Sequence, residues 1–149
     1  MKIISHRGNL TGAKPECENN PTYIDAAIAA GFDVEVDVWY VDGQFFLGHD
    51  APTYLVESTW IGDRTKRLWF HAKNHDALVA LNFRFHSTRV FWHETDRMTF
   101  VSDGTLWMYP GNYSPYGITV ELGSARDIPP VAGVCTDHPV SWSMSLRKG

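Results

Sequence analysis

Asp33-Val34-Glu35-Val36-Asp37-Val38-Trp39-Tyr40 alternates acidic and apolar residues without a break as far as Val38. A period of two puts Glu35 and Asp37 on one face of a β-strand and Val34, Val36 and Val38 on the other. Carboxylates that share a face repel, and burying either one alone is costly. Two readings are open. A hard divalent cation such as Mg²⁺ or Ca²⁺, with oxygen ligands at about 2.0–2.6 Å, would resolve the conflict. Alternatively the strand is the exposed face of an antiparallel hairpin, where the acidic alternation is simply solvated. Asp42-Gly43 follows as a tight-turn signal, and residues 44–48 return as a second strand ending at His49-Asp50.

Upstream, Ile3-Ile4 forms a short buried strand ending at His6-Arg7-Gly8, and residues 9–19 have a loop composition. Asn20 has the character of an N-cap, with Pro21 at the first helical position. Tyr23, Ile24, Ala27, Ile28 and Ala30 recur at helical spacing, and Gly31 closes the helix. Downstream, short apolar runs occur at 68–70, 90–92, 99–101, 106–109, 118–120 and 131–135. One clear helix falls among them, at 75–83, with Ala77, Leu78 and Leu81 on one face. Many short strands with polar residues at their C-terminal ends predict a closed or nearly closed sheet.

The chain has 149 residues, about one domain's length, and residues 1–149 read as a single domain. Hydrophobic residues at 44% and charged residues at 20% exclude a disordered tail or a collagen-like repeat. A net charge of -4 without any basic run argues against nucleic acid as a partner. Cys17 and Cys135 lie far apart with no CxxC pair, which disfavours a thiolate zinc site or a disulfide scaffold. The longest nearly uncharged run, 20–32, is shorter than the roughly 20 apolar residues of a membrane span, and Asp25 interrupts it. Met1-Lys2 leads straight into Ile3-Ile4 with no apolar signal core, so a cytoplasmic location is expected.

His6 and His49 each stand where an apolar strand gives way to a polar turn. Flanking a carboxylate pair, two imidazoles suit a base and an acid around one ester. Arg7, always charged and fork-shaped, suits a phosphate oxygen.

Taken together, His6-Arg7-Gly8, Glu18-Asn19-Asn20, the helix ending at Gly31, Glu35-x-Asp37, Asp42-Gly43 and His49-Asp50 resemble the glycerophosphodiester phosphodiesterases. That family belongs to the phospholipase-C-like phosphodiesterases with a TIM-barrel fold. The strong match spans about residues 3–50, and Gly133-Val134-Cys135-Thr136-Asp137-His138-Pro139 is similar to the family's closing strand. The resemblance implies an α/β fold: a compact TIM-like (β/α) barrel. It implies His6 and His49 as the catalytic acid/base pair and Arg7 as a phosphate contact. Glu35 and Asp37 would ligate a divalent metal, with Glu18 as a further ligand or a carboxylate behind it.

This chain departs from the family pattern in two places. Cys17 stands where the family usually carries Pro. The fourth strand of the family usually ends Glu-x-Lys, whereas here it ends His71-Ala72-Lys73. Lys73 is kept as a phosphate contact, while the third acidic ligand becomes an imidazole. His71 as a ligand suits Zn²⁺ or Mn²⁺ better than Ca²⁺; otherwise water or Glu94 takes that place. Glu121, on the rim, reads as a surface carboxylate. A (β/α)₈ barrel typically needs about 250 residues, so several helices must be shortened or replaced by loops. The six Trp and eight Phe then either fill a core short of helices or form a surface for a homo-oligomer.

The expected activity is metal-dependent hydrolysis of a small glycerophosphodiester-like molecule, with Mg²⁺ or Ca²⁺ as cofactor or else Mn²⁺ or Zn²⁺. Two alternatives stand beside it: a lyase related to sphingomyelinase D, releasing a cyclic phosphate, and a non-catalytic phosphoester-binding barrel.

Overall fold

Strand β2 (Asp33–Val41) is the hub of the computed structural model, which describes residues 1–86 and 88–147. Its first half lies parallel between β1 (Lys2–His6) and β5 (Leu68–Ala72), with His6 opposite Glu35 and Asp37 opposite His71. Its second half turns antiparallel to β3 (Gln44–Leu47), which in turn pairs with β4 (Tyr54–Val56). The acidic stretch therefore sits in the parallel half, and the hairpin begins only after it. That disposes of the solvated-hairpin reading, since Glu35 is 3% and Asp37 0% exposed.

The remaining strands continue the curl on both sides. β6 (Arg89–Phe91) pairs parallel with β5; β10 (Gly133–Thr136), β9 (Gly117–Val120) and β8 (Leu106–Met108) follow in parallel from β1. A TIM-like barrel would close β6 onto β8. Here the curl stays open: among the described residues no strand ladder joins those two. The reason lies in β7 (Met98–Phe100), which folds back antiparallel on β8 instead of entering the ring. Ser102 spans the seam, its N–H donating to Val90 O (2.8 Å) while its Oγ accepts from Val90 N (3.0 Å) and donates to Thr88 O (2.8 Å).

Four helices are present among the described residues. α1 (Pro21–Ala29) and α3 (His75–Arg84) pack on the outer face of β2, and α4 (Pro139–Leu146) packs on β1. α2 (Ser58–Gly62) is a single short turn. The capping signals explain the two starts read from sequence. Asn20 accepts from Thr22 N at 2.9 Å ahead of Pro21, and Asn74 accepts from Ala77 N at 3.0 Å. Sequence reasoning did not anticipate α4 or β4. Among the described residues no helix bridges β8 to β9 or β9 to β10, which is where the chain saves its length.

Strand alternation splits the apolar residues into two layers. Val34, Val36, Val38, Leu68 and Phe70 face outward against Ile24, Ala27, Ala77 and Leu81 of the helices. Ile4, Trp69, Phe91, Trp107, Ile118 and Cys135 fill the inside of the curl. Trp107 lies 4.5 Å from Phe91 and 5.8 Å from Trp69, centroid to centroid, so the large aromatics do the filling. Each such burial contributes roughly 1.5–3 kcal/mol. Phe83 and Phe100 remain outside, exposed. Among the described residues, no helix is long and apolar enough to cross a membrane.

Candidate functional site

Above the aromatic floor, the C-terminal ends of the parallel strands bring a polar layer together. β1 stops at His6 because Arg7 (φ 53°) and Gly8 (φ 92°) take left-handed backbone conformations. Gly8 has no substitute here: an added Cβ would lie 2.9 Å from Tyr23 Cδ1. The strained Arg7 is held on both sides, its N–H donating to Glu35 O (3.0 Å) and its carbonyl accepting from Asn19 N (3.1 Å). Its guanidinium consequently turns back over the strand ends. Nε stands 2.9 Å from Asp37 Oδ2, and Nη1 donates to Glu18 Oε2 at 3.1 Å.

Asp37 is the most heavily contacted carboxylate. Asn19 clamps it twice, Nδ2 donating to Oδ2 (2.9 Å) and Oδ1 accepting from the Asp37 N–H (3.0 Å). His71 Nδ1 lies 3.0 Å from Oδ1 and 3.8 Å from Glu35 Oε1; Lys73 Nζ is 3.7 Å from Asp37 Oδ1. Burial works against ionising Asp37, but His71, Arg7 and Asn19 outweigh it and hold the carboxyl well below the usual range. Glu35 goes the other way. Burial and the neighbouring Asp37 charge push its carboxyl up, more than His6, Arg7 and His71 bring it down.

Three donors, one from each of Glu35, Asp37 and His71, lie within 4.8 Å of one another. Glu35 Oε2 and Asp37 Oδ1 are buried with no hydrogen-bond donor directed at them. His71 Nε2 donates to the carbonyl of His93 at 3.2 Å, and a carbonyl can only accept. Nδ1 is thereby left facing two carboxylate oxygens, with either a second proton or a lone pair. Phe91 stacks on the ring at 5.0 Å and fixes its plane. Orphaned acceptors converging with an imidazole nitrogen are what a divalent cation requires, and two oxygens with one nitrogen suit Zn²⁺ or Mn²⁺ better than Ca²⁺.

His6 stands beside this group. Its Nδ1 donates to Asp137 Oδ1 at 2.7 Å, leaving Nε2 3.9 Å from Glu35 Oε2. Burial lowers its pKa, but the Asp137 hydrogen bond and the Glu35 charge more than reverse this, and the net shift is upward. Asp137 itself, destabilised as an anion by burial, is held below its ordinary value by the hydrogen bonds from His6 and Asn9. Asn9 connects the two sides, its Nδ2 donating to Asp137 Oδ1 (2.9 Å) and to Glu18 Oε1 (2.8 Å).

A cleft of about 450 Å³ opens over the layer, lined among others by His6, Arg7, Glu35, His49, His71 and Lys73. Seven of the eight residues singled out from sequence thus meet at one strand-end cluster, and His49 joins them at the rim. His49 is 42% exposed on its side chain, with Nδ1 2.6 Å from Asp50 Oδ1. Glu18 lies outside the three-donor group, against Arg7 and Asn9. Glu94 is exposed at the cleft edge. Glu121 is no surface carboxylate: it is buried, accepting from Tyr113 OH (2.6 Å) and from Arg126 (2.9 Å).

Asp137, Asn9, Asn19 and His93 escaped the sequence reading as site residues. Asp137 was visible only inside the closing-strand motif, and Asn19 only beside Glu18. Nothing marked Asn9. His93 lines the cleft next to His71, 6.2 Å between ring centroids; burial and the His71 charge lower its pKa.

No family model and no curated protein sequence matches the chain. Among solved structures it is similar to the crystal structure of a protein described as a putative glycerophosphodiester phosphodiesterase from Galdieria sulphuraria. The likeness is one of fold. It extends over 98% of this chain and 97% of that one with a TM-score of 0.61, at 12% sequence identity.

Proposed function

We propose that the chain is a metal-dependent phosphodiester hydrolase acting on a small glycerophosphodiester-like molecule. The observation that carries this reading is the convergence of Glu35, Asp37 and His71 donors beside an Asp137-held His6. Glu35, Asp37 and His71 would hold the cation. When bound, it would supply Lewis-acid neutralisation of a phosphoryl oxygen.

The chain's own residues account for the rest. Asp137 fixes the proton of His6 on Nδ1, so Nε2 is the atom that takes a proton from an attacking water. Arg7 and Lys73, both near Asp37, offset the charge that builds on the phosphoryl oxygens. Glu18 and Asn9 keep Arg7 and Asp137 in place. His49, at the rim of the cleft, returns a proton to the leaving alkoxide.

The test is release of p-nitrophenol from bis(p-nitrophenyl) phosphate, and of glycerol phosphate from glycerophosphocholine, with Mg²⁺, Ca²⁺, Mn²⁺ or Zn²⁺ and with EDTA. Turnover that needs a metal, and is lost in His6→Ala with the metal still bound, is the expected result. Binding of the ester without turnover under every metal would instead make the protein a phosphoester-binding barrel. Accumulation of a cyclic phosphate would make it a lyase.

A further inference from the structure

Beside its charged residues, Glu94 at the edge among them, the cleft has an apolar wall of Phe91, Trp107, Tyr109, Pro110, Val120 and Leu122. Phe91 and Trp107 are buried and stacked, forming the base of this wall. Tyr109 and Leu122 stand at its rim, 46% and 42% exposed. Both lie just past the C-terminal ends of β8 and β9, the same edge of the sheet that carries the polar layer.

The wall is poor in groups that could recognise a polyol. Apart from the Tyr109 hydroxyl and the Trp107 indole N–H, its six side chains offer a polyol hydroxyl nothing beyond contact. The adjacent His93 packs 4.9 Å from Tyr109, and both its ring nitrogens are shielded from solvent. A ligand whose phosphate lies among Arg7, Lys73 and the three donors would extend its alcohol group along this apolar surface.

We infer that the cleft selects a phosphoester whose alcohol carries an unbranched apolar chain next to the phosphate, with the Phe91–Leu122 wall as its subsite. This rests on the phosphodiesterase reading above. Full burial of a methylene changes affinity about fourfold. A one-sided wall covers about half of each, so affinity grows about twofold per methylene. From methyl to hexyl phosphate, five methylenes, that amounts to about 30-fold.

Isothermal titration of methyl, propyl and hexyl phosphate and of glycerol phosphate, with Mn²⁺ present and below any micelle concentration, tests this. The monoesters are product-like and are not consumed. Affinity rising about 30-fold along the series, with a heat-capacity change that grows more negative, is the expected outcome. Leu122→Asp should compress the hexyl-to-methyl ratio several-fold, and the heat-capacity series on the unaltered protein stands even if that variant folds poorly. Equal affinity for methyl and hexyl phosphate, or glycerol phosphate binding as tightly as hexyl phosphate, overturns the inference while leaving the phosphodiesterase reading in place. Failure of every monoester and of inorganic phosphate to bind overturns both.

Discussion

Replacing Glu35 by Gln should stabilise the metal-free protein and abolish its response to metal. Glu35 is almost fully buried, and its Oε2 has no hydrogen-bond donor. The nearest side-chain nitrogens are those of His6 and His71 at 3.8–3.9 Å, too far for hydrogen bonds, while Asp37 repels it from the same face of β2. An unsatisfied buried group costs about 1–3 kcal/mol, and more when charged. Allowing for the lost attraction to His6 and His71, the neutral isostere should gain about 1–2 kcal/mol. For a chain of this length that is about 2–8 °C in Tm. The pH dependence follows from the direction of the shift. A carboxyl raised by folding favours the folded state below its unfolded value of about 4.3 and loses that contribution as pH rises through the folded pKa. The advantage of Glu35→Gln should therefore widen from acid toward neutral pH. Metal reverses the order. At about 100 times Kd a bound cation adds about 2.7 kcal/mol to the unaltered protein and nothing to a variant that has lost a ligand. Thermal denaturation at neutral pH, in EDTA and in excess Mn²⁺ or Zn²⁺, reads both effects. A Glu35→Gln protein that melts below the parent in EDTA, or that gains as much from metal, would refute the reasoning.

Four further outcomes are expected. Asp137→Asn removes what raises the His6 pKa, so the acidic limb of kcat/KM, where His6 must lose its proton, should move to lower pH. Its maximum should fall about 10–100-fold, both read from a pH–rate profile on the p-nitrophenyl ester. Ser102→Ala leaves Val90 N and Thr88 O short of a partner at the open seam, costing about 1–3 kcal/mol; hydrogen exchange at Val90 should speed up before that of the β1–β2 amides. Gly8→Ala forces a φ of +92° on a residue whose Cβ meets Tyr23, so a loss of at least about 1–3 kcal/mol should appear in urea denaturation. His71→Glu should move metal preference from Zn²⁺ or Mn²⁺ toward Mg²⁺ or Ca²⁺, seen as a change in which ion raises Tm most.

The strand carrying Glu35 and Asp37 was legible because its period is local: alternation fixes both the strand and the face without reference to any neighbour. Which neighbour it has is not local. The same eight residues could have entered a hairpin throughout, and the parallel half is set by Leu68-Trp69-Phe70, more than thirty residues on. Ring closure was misread for a related reason. Thr99-Phe100-Val101 has the pattern of a strand whether it joins the ring or folds back on β8. The choice depends on a turn too short for a helical crossover, as parallel connections normally need a dozen or more residues. Helix α4 went unread because its apolar content is spread over eight residues, with only Pro139 and Trp142 buried.

The site shows the same division, and His71 makes its consequence chemical. Residue types at strand ends could be read off the chain; their partners depended on which strands became adjacent. His6 and Asp137 meet only because the first and last strands pair, Ile4 opposite Cys135. A third acid at position 71 would set three carboxylates in one dry layer against Arg7 and Lys73. With an imidazole there, two acids face two fixed cations, and a neutral ring can still offer Nδ1 to an ion. Such a layer tolerates the absence of metal better than an all-carboxylate one, because less charge is left uncompensated. On the proposed reading it also offers the cation a nitrogen in place of a hard oxygen, which shifts the preference of the three-donor group toward Zn²⁺ or Mn²⁺.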